Sequence, residues 1–253
     1  MVFESLEFSI LGPAFIAGLI ILSTHVPLGQ EVLKRGIIFI DLAIAQIAGL
    51  GIIAAYYLGW EVHSWEIQVV AVTSTLLAAL VLGWLEKDYQ QYQEALIGIT
   101  FVLASTASIL LLANNPHGGE SLKDLLVGQI LWITWAELLP LALLSGFILI
   151  VWFTCRKRLN HYGFYLLFAL AITSSVQLIG VYLVFASLVI PALASIGYRY
   201  ALLTGYVTGG FGYALGLVLS SVMDLPSGAI IVWSIAAIAL VLKGGLKGFK
   251  REG

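Results

Sequence analysis

The sequence is poor in charge and almost without cysteine. Only 10% of its 253 residues are Asp, Glu, Lys or Arg, while 60% are hydrophobic. Soluble domains carry about 25% charged residues, so a solvated globular fold is excluded. The net charge of −2 leaves no basic surface for nucleic acid. A single cysteine, Cys155, excludes a disulfide framework and any cysteine-based zinc cluster. The chain also lacks a Walker lysine motif, a GxGxxG and any nucleophile–base pairing, so catalysis by this chain alone is not expected. No stretch is polar enough to form a soluble domain. These absences leave an all-α polytopic membrane protein, read as one transmembrane domain over 1–253.

What is abundant is charge-free length. The uncharged runs are 8–30, 42–60, 67–85, 95–119, 138–155, 159–198, 200–223 and 225–242. Each can cross a hydrocarbon core about 30 Å thick as a helix of about 20 residues. The first run has no basic leader and no small-residue cleavage pattern, so it reads as a retained span. The run 159–198 would measure about 60 Å as one straight helix. Gln177 and Gly180 sit near its middle and Pro191 interrupts its second half. It is therefore expected to break into two shortened, re-entrant helices at about 164–178 and 181–197.

Charge placement tests that break. With nine crossings, Lys34, Arg35, Lys87, Arg156, Lys157, Arg158, Arg199, Lys243, Lys247, Lys250 and Arg251 share one side, and only Lys123 lies on the other. With eight crossings the split becomes 6 against 6. Cytoplasmic loops collect Lys and Arg, so nine crossings with the N-terminus outside and the C-terminus inside are expected. The polar stretch 114–124 reads as an outer loop. The apolar segment 125–135 is too short to span and, with two tryptophans, is expected at the outer interface.

Few polar features lie within the spans. Asp41 is the one acid well inside an apolar run, and a buried carboxylate there calls for a cavity, a cation or a partner. The alternative is snorkelling, or an ion pair with Lys34 or Arg35. Gln46 lies five residues on, about 140° around the helix. His25, His63, His117 and His161 form no ligand pair at i, i+3 or i+4. His25 is expected at the cytoplasmic end of the first span. Gly205, Gly209, Gly212 and Gly216 fall on one helix face and predict close packing, more readily within the chain than between copies. The basic loop 154–163 suits a topology anchor or a cytoplasmic docking element.

Three stretches resemble the permease subunits of bacterial metal-ion ABC importers, the zinc/manganese/iron type. In 175–194, Gly180-Val181-Tyr182-Leu183 through Pro191-Ala192 is similar to the family's "v-G-x-L-L … i-i-P-A" segment. In 125–138, Gly128-Gln129-Ile130-Leu131 and Glu137-Leu138 resemble its "f-G-x-i-L … D-L". In 28–51, Leu28-Gly29, Lys34-Arg35 and the stretch from Asp41 to Gly51 resemble its first and second helices, and Glu94-Ala95-Leu96-Ile97-Gly98-Ile99 also fits. The family's second helix carries Asp-x-x-x-His, whereas this chain has Asp41 and Ala45, with Gln46 the nearest polar group.

The resemblance implies about eight to nine transmembrane helices and a homodimeric permease in the bacterial inner membrane. It implies two cytoplasmic ATPase subunits that bind ATP, an extracytoplasmic metal-binding protein, and a transported divalent metal, zinc or manganese. No cofactor and no catalytic residue is implied for this chain. Metal handling transfers to Asp41 and, secondarily, to Gln46. A coupling segment shortened to 157–163, with 86–93 as a second contact, is the implied ATPase dock. The rival readings are a stand-alone secondary transporter or channel for a small cation, which would more often show paired broken helices, and an integral-membrane enzyme, which would need a catalytic constellation.

Overall fold

The structure is a computed structural model and describes residues 8–60, 65–113, 115, 118–155 and 161–249. Its elements in chain order are α1 (Phe8–Arg35), α2 (Ile40–Tyr57), α3 (Trp65–Asp88), α4 (Gln93–Leu112), α5 (Gly118–Val127), α6 (Trp135–Cys155), α7 (His161–Ala194), α8 (Ala201–Met223) and α9 (Ser227–Phe249). Among the described residues there is no strand. Seven helices are long and apolar enough to cross a membrane, and α9 adds a shorter apolar stretch, Ser227–Lys243. The protein is a polytopic all-α membrane protein. Large apolar side chains such as Leu77, Leu103, Leu110, Leu143 and Ile150 point outward, as a lipid solvent allows.

The chain packs as two compact units. One comprises Met1–Arg35, Gln129–Phe147 and Tyr182–Gly253; the other comprises Gly36–Gly128 and Ile148–Val181. Three of the four points where the chain passes between them fall at or beside a glycine with positive φ: Gly36 at 71°, Gly128 at 72° and Gly180 at 75°.

In the first unit the glycine face of α8 is buried, as its spacing predicts. Leu22 and Val26 of α1 occupy the space in front of Gly209 and Gly205, and Ile231 and Ile235 of α9 that before Gly216 and Gly212. A Cβ at any of the four would collide with its neighbour, so the stripe serves packing within the chain. Ser187 and Tyr213 hydroxyls meet at 2.8 Å across α7 and α8, and Gln30 donates to Ser195 Oγ at 3.0 Å. Helix α1 contains Pro27, which has no amide to offer the Ser23 carbonyl one turn back. The Tyr206 hydroxyl donates to that carbonyl at 3.1 Å, so the proline leaves no orphan acceptor in the apolar interior.

In the second unit α2 is the central helix: eleven of its eighteen residues are buried. It packs against α3 and α4. Thr75 and Thr173 join α3 to α7 at 2.8 Å, and Gln93 donates to the Tyr165 hydroxyl. The outer connection departs from expectation. Residues 118–124, read as loop, form the first part of α5, because Leu122, Leu125 and Leu126 share one face of the helix. Leu125 covers Gly49 of α2. The apolar stretch 125–135 is no single helix: it ends α5, turns at Gly128 and makes a short 3₁₀ turn at Ile130–Trp132, with Ile130 buried and Trp132 exposed.

Helix α7 is interrupted at Gly180, whose φ of 75° and ψ of 166° are open only to glycine. The break lies where the 40-residue run predicts it. The arms are 161–179 (α7a) and 181–194 (α7b). α7a starts beside Gln93 of α4, and α4 itself starts beside Phe39 at the head of α2. α7b ends beside Gln30, near the foot of α1. With α7 as two arms, the apolar helical segments among the described residues number nine.

Candidate functional site

The structure starts α2 at Ile40, after a left-handed turn at Gly36. Asp41 is thus in the first helical turn. Free amides and the helix dipole there favour an anion, which answers part of the cost of burying it. Asp41 is 1% exposed, and among the described residues neither oxygen has a hydrogen-bond partner. Snorkelling to an interface is therefore not its state. Arg35 bonds Glu31 at 3.3 Å, and among the described residues Asp41 forms no ion pair. A carboxylate withdrawn from water with neither donor nor countercharge is held at substantial cost.

Gln46 is also fully buried, and neither its amide oxygen nor its nitrogen has a partner. No hydrogen bond joins it to Asp41. Both belong to the interior of the unit built around α2. What the sequence missed is Glu94, in the first turn of α4. Its Oε1 accepts the Phe39 amide at 3.2 Å, and its Oε2 is buried without a partner. Glu94 thus bonds the chain two residues before Asp41, so both carboxylates stand at the head of α2. An apolar groove of about 600 Å³ runs beside them, lined by Phe39, Leu42, Ala95, Ile99 and Val102. Its lining offers a cation nothing to bind.

The histidines divide. His25 is not at a helix end: α1 continues ten residues further, through Glu31 and Lys34, and the ring is fully buried. Its Nδ1 lies 3.1 Å from Thr24 Oγ1, and its Nε2 has no partner. His63 and His117 lie outside the described residues, as do residues 156–160 of the basic loop. No group of three or more His, Cys, Asp or Glu gathers among the described residues.

The chain is similar to several membrane proteins over most of its length. An uncharacterized membrane protein of Synechocystis is 28% identical over 94% of this chain and 91% of its own. A probable metal transport system membrane protein of Chlamydia trachomatis is 26% identical, covering 85% and 83%. The manganese transport system membrane protein MntC of Halalkalibacterium halodurans is 23% identical, covering 90% and 85%. Among solved structures, PsaBC from Streptococcus pneumoniae in complex with Fab matches with a TM-score of 0.77 at 20% identity, over 96% of this chain and 95% of that one. That likeness is one of fold. The ABC 3 transport family matches residues 7–164 and 157–243, and the chain belongs to that family.

Proposed function

We propose that this chain is the permease subunit of an ATP-binding cassette importer that moves a divalent metal ion, zinc or manganese, into the cytoplasm. The observation that carries the reading is Asp41: a buried carboxylate with no donor and no countercharge, inside a chain of this family. The names of the Chlamydia and Halalkalibacterium relatives support a metal cargo. Asp41 offers the cation an oxygen ligand, and Gln46 a neutral one further along α2. With Ala45 in place of a histidine, the α2 ligands are oxygen-rich, which favours harder cations over those that seek imidazole. ATP is bound and hydrolysed by a separate cytoplasmic subunit, a second copy of this chain completes the pathway, and an extracytoplasmic protein delivers the metal.

The test is uptake into proteoliposomes holding the chain with a cytoplasmic ATPase subunit of the same transport system. ATP-dependent accumulation of Mn²⁺ or Zn²⁺, absent with a non-hydrolysable analogue, is the expected result. Uptake that is indifferent to ATP and driven by an ion gradient would instead make this a stand-alone transporter.

A further inference from the structure

Helix α2 begins without a cap of its own. Phe39, the residue before it, has a side chain that cannot accept a hydrogen bond. The cap comes from another helix: Glu94 of α4 takes the Phe39 amide on Oε1 at 3.2 Å. Asp41 follows two residues later, in the turn that this bond fixes. The same Glu94 carboxylate keeps a second oxygen, Oε2, buried and unpartnered. Three carboxylate oxygens, Asp41 Oδ1 and Oδ2 and Glu94 Oε2, are therefore withdrawn from water at the head of one helix, without a donor among them. Two like charges in such surroundings repel, and a divalent cation removes the repulsion while supplying the missing partner.

We propose that Glu94 is a second carboxylate of the cargo site, holding the first turn of α2 through Oε1 and offering Oε2 to the cation that Asp41 binds. This rests on the reading of Asp41 as a cargo ligand. One oxygen positions and the other binds, so the two contributions separate on substitution. Glu94→Gln keeps an oxygen for the Phe39 amide but loses the charge; Glu94→Ala loses both. Glu94→Asp keeps the charge on a shorter arm.

The experiment is a Mn²⁺ titration of the full chain in lipid nanodiscs, with free Mn²⁺ read by electron paramagnetic resonance and the melting temperature of each variant measured alongside. Glu94→Gln should bind Mn²⁺ about tenfold or more weakly than the wild type at an unchanged melting temperature, as when a carboxylate ligand loses its charge. Glu94→Ala should be equally weak and melt lower. Should Glu94→Gln also melt lower, Glu94→Asp decides: retained affinity supports the charge role, and a loss as large as that of Gln overturns it. Wild-type affinity in Glu94→Gln, with binding lost in Asp41→Asn, overturns the role of Glu94 and leaves Asp41 standing. Wild-type affinity in Asp41→Asn, or no binding by the wild type, overturns both.

Discussion

Gly128 and Gly180 meet backbone to backbone: a Cβ on either would fall within covalent-like distance of the other's main chain. Both have positive φ, and both head the stretches that carry the family resemblance. The turn after α5 and the break in α7 are thus one construction, possible only where neither residue has a side chain. Gly128→Ala or Gly180→Ala is expected to destabilise the chain by about 2 kcal/mol or more, since backbone cannot step aside as a side chain can. Gly146→Ala, in a helix with open space before it, should be neutral or slightly stabilising. Thermal unfolding in detergent checks the contrast; equal effects at 128 and 146 would contradict it.

The α8 stripe gives a second test. Gly209→Leu places a branched side chain where Leu22 of α1 already sits. A loss of roughly 2–3 kcal/mol, from overpacking at a helix crossing, is expected. Because the contact is within one chain, melting temperature should fall while the oligomeric state of the folded fraction is retained. A change of oligomeric state at full stability would place the stripe between subunits instead.

Tyr206→Phe removes the hydroxyl that serves the Ser23 carbonyl opposite Pro27. The expected cost is about 1 kcal/mol. In a Pro27→Ala background the amide regained at position 27 can serve that carbonyl, so the same substitution should cost far less. An equal cost in both backgrounds would show that the bond does not answer the proline.

Much of this architecture was legible from arithmetic on charge. The 40-residue run is too long for one span and contains Gly180, so its break follows from length alone. The spacing of Gly205, Gly209, Gly212 and Gly216 specified a buried stripe, because small residues at 4, 3 and 4 fall on one side of a helix. Asp41 stood out because an acid in an apolar run is expensive. Other features needed tertiary pairing. Glu94 looked like the edge of a charged boundary, and nothing in the sequence says that α2 and α4 start side by side. His25 was placed too near an interface because Glu31 and Lys34 read as the end of the span, while α1 carries both in its last turns. Residues 118–124 read as loop because their polarity masks three leucines on one face.

If the charge split sets the topology, the chain folds back at Gly180 and Leu178 lies at the face opposite the basic loops. In a background where the exposed Cys155 is replaced by Ser, a cysteine introduced at position 178 should react with an impermeant thiol reagent from outside. Labelling from the cytoplasmic side only would contradict both the break's direction and the nine-segment topology.

Asp41→Asn separates a cargo ligand from a merely structural acid, because it keeps the shape of the side chain and removes only its charge. Measured in proteoliposomes with the ATPase subunit present, ATP-driven uptake of Mn²⁺ or Zn²⁺ should fall about tenfold or more, while assembly and the melting temperature hold or rise, since an uncompensated buried charge has gone. Uptake at the wild-type rate with unchanged stimulation of ATP hydrolysis would contradict the account, and Asp41 would then be no ligand of the cargo.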